Sequence, residues 1–309
     1  MCRYLIYIRR FIERAAPIGQ TVSPFVPFEL RPNLDLSAFG FNKAAYTADF
    51  VDRSESLLEV ARDGRADAAI SNLFTRTLEL WRGQAWRCAL SSESLVSSAA
   101  RLEMVAIGKI LPKYLDAKRI QDAKHDFNAL SAELDKIRFP HKVATIHGDL
   151  HGDNVRVRGD EAVLIDLGAV KGTDKVGEGA PLSFDVAMLE VSLIFTCTDQ
   201  ENDTGDFDQV EWENSIRAFY ALDKIKNSPP RPGPPSEDSW RYGVLQRLRG
   251  FSGYDQSDQV EYAIALVIAM WRWCKFEPLS KADLGRRVAA LAISAQLVEE
   301  IVRDWKLRK

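Results

Sequence analysis

The chain has 309 residues, 46% hydrophobic and 28% charged, which is ample material for a buried core and unlike a disordered or fibrous composition. A net charge of −3 offers no basic field for nucleic acid. Four scattered cysteines without a Cys-x-x-Cys pair argue for a reduced cytoplasmic protein, and no apolar run approaches the roughly 18 residues of a membrane span.

Residues 3–16 have the spacing of an amphipathic helix, with Tyr4, Leu5, Ile8, Phe11, Ile12 and Ala15 on one face, ended by Pro17 and Gly19. The basic start Arg3 to Arg10 resembles that of a signal peptide but lacks a long apolar region and a cleavage site. The Pro-punctuated stretch from Pro24 to Gly40 predicts short strands around Phe25-Val26 and Phe28 to Leu30, and Ala44 to Val51 alternates like another strand. Ser54-Glu55-Ser56-Leu57-Leu58 reads as a capped helix start. Helices are then expected over Ala66 to Trp81, Ser94 to Leu111 and Ile120 to Ile137. Short strands Val143 to Ile146, Val155 to Val157 and Ala162 to Ile165 follow. Beyond them come a helix at 184–197, an acidic loop at 199–208 and a helix at 209–225. Residues 227–239 read as a linker, with five of the thirteen prolines between 229 and 235. Two long helices, 257–275 and 281–306, close the chain. The apolar run Tyr262 to Trp273 is too short for a membrane span and reads as a buried helix.

The densest chemistry is His147-Gly148-Asp149-Leu150-His151-Gly152-Asp153-Asn154, with Asp166 twelve residues beyond Asn154 in Leu164-Ile165-Asp166-Leu167-Gly168. Asp149 and Asn154 are five apart, the spacing of the base and the metal-binding Asn in a kinase catalytic loop. A hydroxyl attacking a γ-phosphate must be oriented and must lose its proton, and a carboxylate at the loop centre does both. Mg²⁺ takes hard oxygen ligands, and an Asn amide and an Asp carboxylate joined by a hairpin supply two. Asp149 is therefore the candidate general base, and Asn154 and Asp166 are the candidate metal ligands.

Rival motifs fail on their own requirements. Asp149-Leu150-His151-Gly152 also reads as the Asp-x-His-Gly of dinuclear metallophosphatases, but those need further histidines downstream and none follows His151. Gly172 to Gly177 has Walker A glycine spacing, yet Glu178 and Gly179 stand where Lys-Ser/Thr is required.

The pattern His-Gly-Asp-Leu-His-x-x-Asn followed by Ile-Asp resembles the signature of aminoglycoside phosphotransferases and their protein-kinase-like relatives. Pro181 to Glu190 resembles the segment where such enzymes place an Asp at a helix start, and the acidic helix running on to Phe195 is closer to the bacterial ternary-complex-associated branch. The resemblance implies an α+β, protein-kinase-like fold with a mainly helical C-lobe and a small catalytic β-hairpin. It implies ATP and Mg²⁺ as cofactors. It gives His147, His151 and Asp185 loop-structuring roles, with Asp185 bonding the catalytic-loop backbone. It places the nucleotide-binding hinge at Tyr46 to Arg53. Relatives phosphorylate aminoglycosides, choline, sugars, homoserine and proteins, so the partner is a small-molecule or protein hydroxyl acceptor. The acidic run Asp199, Glu201, Asp203, Asp206 and Asp208 would suit a cationic substrate, though a solvated loop is the commoner use of such a run.

The expected organisation is an N-lobe remnant over 1–45, the hinge 46–53, and a C-lobe over 54–309 carrying catalytic loop 147–154 and Asp-Leu-Gly 166–168. The departure from the family lies at the start. The only glycines before the hinge are Gly19 and Gly40 and the only lysine is Lys43, so neither a glycine-rich phosphate loop nor its Lys is assignable, and Glu13 lacks its expected partner. Three explanations stay open: a chain starting late within a longer protein, a naturally truncated relative with weak or no kinase activity serving as a binding or regulatory module, or completion by an unrelated N-terminal partner. In each case the chain alone is expected to bind ATP poorly. An N-terminal helix with Ile8, Phe11 and Ile12 exposed is expected to self-associate.

Overall fold

The computed structural model describes residues 54–84, 92–104, 110–171, 179–197, 209–226, 239–255 and 260–309. The expected N-terminal helix, the early strands, the hinge, the Walker-like glycines, the acidic loop and nearly all of the proline-rich linker lie outside these residues. Within them the protein is α+β and mostly helical, with two small antiparallel sheets.

Strand β1 (Glu55–Ser56) runs directly into helix α1 (Leu57–Arg62). Ser56 caps that helix: its Oγ accepts from Glu59 N at 3.2 Å, and Glu59 Oε2 accepts from Ser56 N at 2.6 Å. This reciprocal capping satisfies two otherwise orphaned donors. Next come α2 (Ala66–Asn72), a π-helical turn (Leu73–Thr77) and α3 (Glu79–Gln84), so the helix expected over Ala66 to Trp81 is interrupted. Leu78 N reaches back to Leu73 O at 2.8 Å, widening the turn by one residue. There Thr77 Oγ1 donates to Ala162 O at 2.8 Å, tying the widened turn to the strand hairpin that follows residue 154.

The two helices expected next are also shorter than their periodicity suggests. Helix α4 (Leu95–Arg101) stops where Glu103 takes φ 57°, with Met104 N bonded to Ala99 O and Glu103 N to Ala100 O. That is a Schellman ending built on Glu instead of the usual Gly, so no sequence signal marks it. After α5 (Pro112–Leu115), the stretch expected to be one helix splits into α6 (Lys118–Ala123) and α7 (Phe127–Asp135). Lys124 turns left-handed at φ 52°, and Asp126 starts α7 by accepting from Asn128 N and Ala129 N.

Strand β2 (Val143–Ala144) leads to the loop 147–154, β3 (Val155–Arg158) and β4 (Glu161–Leu164) form the hairpin, and β5 (Ala180–Pro181) returns to pair with β2. Strand β1 adds to the free edge of β3, giving the order β1-β3-β4. Gly159, at φ 62°, supplies the positive dihedral of the two-residue hairpin turn.

Helix α8 (Ser183–Phe195) is buried at every position except Ser192. Helices α9 (Gln209–Arg217) and α10 (Leu222–Lys226) replace the single expected helix and are joined by a short 3₁₀ turn at Ala218–Tyr220. Helix α11 (Ser239–Asp255) has no counterpart among the expected elements. Its apolar stripe is masked by arginines, two of which, Arg241 and Arg249, are themselves buried. Helices α12 (Glu261–Trp273) and α13 (Lys281–Leu307) match their expected positions and pack against α8 and each other. Trp271 Nε1 donates to Ser294 Oγ at 3.0 Å across the α12–α13 contact.

A buried polar cluster pins three of these helices. Glu190 of α8 accepts from Arg249 of α11, through Nη2 at 2.8 Å and Nε at 3.2 Å, and from the Tyr262 hydroxyl of α12 at 2.8 Å. Arg249 Nη1 donates onward to Phe219 O at 2.9 Å. Replacing one partner leaves a buried charge uncompensated, so Arg249→Met is expected to cost about 3–5 kcal/mol, read by urea unfolding. The double replacement Glu190→Gln with Arg249→Met is expected to cost less than the single one; an equal or larger loss would show that the pair is not what Arg249 contributes.

His141 gives the fold a pH dependence. Its ring is fully buried, with Nδ1 3.3 Å from Phe139 O, and burial pushes its pKa below the ordinary 6.5. Below pH 6.5 the unfolded chain takes up the proton that the folded one resists, so stability is expected to fall with acidification. His141→Gln should flatten that slope in melting curves taken between pH 5 and 8, and an unaltered slope would exclude His141 as its source.

Candidate active site

Two backbone bonds bring the loop into position. Ile146 N donates to Lys171 O at 2.8 Å and Lys171 N to Ile146 O at 3.0 Å. The chain then turns inward, and the Asp185 carboxylate accepts from His147 N at 2.8 Å and from Gly148 N at 3.0 Å. Asp185 lies in the first turn of α8 and is almost completely buried. Burial pushes its carboxyl pKa upward, against the pull of His147 and the two N–H donors.

Gly148 is required at this bend for two reasons. It holds φ 76°, and a Cβ there would lie 2.4 Å from the Ala169 carbonyl oxygen. His147 is fully buried, and its Nε2 lies 2.9 Å from Ile165 O, so the ring joins the loop to the residue preceding Asp166. His151 Nδ1 accepts from Asp153 N at 3.3 Å and opens the 3₁₀ turn Gly152–Asn154. Gly152 N donates to Ser192 Oγ of α8 at 2.9 Å, giving the loop a second attachment to that helix.

Asn154 is buried and makes bonds in both directions. Its Nδ2 donates to Asp149 O at 2.9 Å, and its own carbonyl accepts from Ile165 N at 3.0 Å. Asp166 follows directly, exposed and left-handed at φ 53°, ψ 59°, where its side chain caps nothing. A non-glycine residue held there is strained, as is common where a side chain must be aimed. The fold thus gathers Asp149, Asn154 and Asp166 on one loop-and-hairpin unit. It sets His147 beneath that unit and Asp185 behind it.

Sequence reasoning missed the partner of Asp149. Arg272, at the end of α12, donates from Nη2 to Asp149 Oδ1 at 2.7 Å and from Nη1 to Met104 O at 3.0 Å. Burial pushes the Asp149 carboxyl pKa up, but the hydrogen bond and charge of Arg272 outweigh it and hold the group below the ordinary carboxylate range. The available signal was Trp271-Arg272-Trp273, a cation set between aromatics at the end of a buried helix.

Beside Asp149 opens a cavity of about 310 Å³ between the loop, α8, the end of α12 and the start of α13. Met188, Val191, Ala269, Trp273 and Phe276 supply its apolar wall. Most of its charge is already compensated. Arg287 is paired with Asp283 at 3.1 Å and lies over the Trp273 ring at 4.4 Å, and Asp283 also accepts from Leu279 N at 2.8 Å. Phe276 and Leu279, two of the three exposed large hydrophobics among the described residues, stand on its lining.

Removing the Asp185 side chain leaves two backbone donors unpaired in a dry site. Asp185→Ala is expected to cost about 1–3 kcal/mol, read as a lower melting temperature. An unchanged melting temperature would show that the carboxylate does not hold the loop.

No family model matches the chain, and no curated protein matches it. Solved structures of glucosamine kinase are similar at low identity: two crystal forms at 12% and 13%, each with a TM-score of 0.46. A complex with glucosamine, ADP and inorganic phosphate is similar at 13% and 0.45. Each covers 84% of this chain, which spans only 58–63% of theirs. At that level of likeness the similarity carries neither a chemistry nor a substrate to this chain.

Proposed function

We propose that this chain transfers the γ-phosphate of ATP to a hydroxyl acceptor, with Mg²⁺ as counter-ion of the triphosphate. The observation that supports this reading is the union of a twice-bonded loop with three oxygen-bearing side chains on one loop-and-hairpin unit: Asp149, Asn154 and Asp166. The amide oxygen of Asn154 and the carboxylate of Asp166 take no hydrogen bond among the described residues and are hard donors. No cluster of three or more His, Cys, Asp or Glu that could hold a metal gathers among those residues. A sparse oxygen pair of this kind fits Mg²⁺, which prefers one or two protein ligands and completes its shell with phosphate oxygens and water. Bound there with the nucleotide, Mg²⁺ would neutralise phosphate charge.

The protein's own contribution is orientation and proton transfer. Asp149 takes the acceptor's hydroxyl proton as the hydroxyl oxygen bonds to the γ-phosphorus. The bond from that phosphorus to the bridging oxygen breaks, and ADP leaves with the electron pair. The cavity beside Asp149 is the acceptor side in this reading. Its apolar wall and internally paired charges favour an alcohol with an apolar or aromatic face over a polycation.

Asp149→Ala is expected to lower phosphoryl transfer by about 10²-fold or more while the protein stays folded. Near-wild-type turnover in that variant would remove Asp149 from the role. Asn154→Ala and Asp166→Ala are expected to weaken Mg²⁺-dependent nucleotide binding in calorimetric titration, and unchanged affinity in both would exclude metal ligation. A panel of neutral aromatic alcohols, sugars and aminoglycosides, assayed by ADP release, tests the acceptor class. Selective turnover of aminoglycosides would overturn the apolar assignment.

A further inference from the structure

We infer that Arg272 is a positioning residue for Asp149: its guanidinium, anchored on a backbone carbonyl, fixes one carboxylate oxygen and leaves the other to the cavity. This deepens the proposed function and rests on Asp149 being the base.

A carboxylate turns about a broad, two-fold torsion, so an Asp in a loop does not by itself choose which oxygen meets the acceptor. Here Arg272 chooses. Nη2 bonds Oδ1 at 2.7 Å, while Oδ2 has no hydrogen-bond partner among the described residues. The guanidinium is itself held at its other terminus by Met104 O at 3.0 Å. Its backbone is equally constrained, because α12 is buried continuously from Glu261 to Trp271. Arg272 and Asp149 both line the cavity, so the pair lies where the acceptor would dock. Both are also largely withdrawn from water, with side chains 12% and 32% exposed, which separates this contact from a surface ion pair.

The other charged or titratable groups about Asp149 are differently engaged. His147 is turned to Ile165 O, and His151 accepts from Asp153 N. Arg287 and Asp283, across the cavity, are bonded to each other. Arg272 is the one cation bonded to the Asp149 carboxylate among the described residues. A planar fork can hold a carbonyl and a carboxylate at once, whereas a lysine ammonium on a flexible stem can replace only part of that geometry.

The test uses the full chain as Arg272→Gln, Arg272→Lys, Asp149→Ala and the double variant Arg272→Gln with Asp149→Ala. Urea unfolding of these closes a double-mutant cycle that needs no substrate. Non-additive losses are expected, and additivity within error would mean the pair is not formed and overturns the inference. ADP release from Mg-ATP, with water as acceptor, gives the second reading. Arg272→Gln is expected to lower kcat tenfold or more at unchanged KM for ATP, with partial recovery in Arg272→Lys. An unaltered kcat, or a kcat loss tracking a KM increase with no recovery by Lys, overturns positioning even if the cycle shows coupling. The proposed function fails separately: wild-type ADP release in Asp149→Ala removes the base, while the coupling measured by the cycle still shows whether the pair forms. A wild-type protein releasing no ADP with water or with any alcohol of the panel speaks against the proposed function, and the cycle alone then decides whether Arg272 holds Asp149.

Discussion

The Asp185 carboxylate accepts from two consecutive backbone amides, and much of the site's geometry follows from it. A carboxylate out of water is costly unless donors replace its hydration, and donors in a loop are equally costly if left unpaired. The two requirements meet only if the start of α8 lies directly behind His147 and Gly148. That close approach admits no side chain at residue 148, where a Cβ would collide with Ala169 O.

Helix α8 then distributes three polar contacts by its own periodicity. Asp185 and Ser192 are seven apart, about 20° from the same azimuth, and both bond loop amides, those of His147, Gly148 and Gly152. Glu190 is five from Asp185, about 140° around the helix, and faces α11 and α12. Tyr262 of α12 bonds Glu190, and Arg272 at the far end of α12 bonds Asp149. The loop is therefore held from behind by α8 and from the cavity side by α12, and α8 and α12 are held to each other. Buried ionic contacts of this kind contribute little net stability compared with apolar packing. Here they set which helix face meets which.

Several of these features were legible in the residues. The loop motif, the hairpin, the capped helix start within 54–58, α8 and the last two helices all rest on local patterns: turn residues, caps and apolar periods. The failures share a cause as well. The helix expected through Leu111 ends at Glu103 because a glutamate takes the left-handed position that glycine usually marks. The helix at 239–255 was hidden because Arg241 and Arg249 are buried, and a buried arginine looks like a surface residue in any periodicity. The π turn at Leu73–Thr77 carries a contact with the hairpin strand through Thr77, 85 positions away in the chain.

By itself the sequence determined the chemistry available: an Asp, an Asn and a second Asp at spacings that suit a base and a hard metal ion, with glycine at the bend. Those are local facts, set by residue type and by the few backbone conformations each type allows. Only the tertiary structure decided what acts on that chemistry. Arg272 lies 123 positions from Asp149 in the chain, and the cavity wall is drawn from three helices. No local pattern encodes such neighbours, because they follow from how buried helix faces are matched across the core.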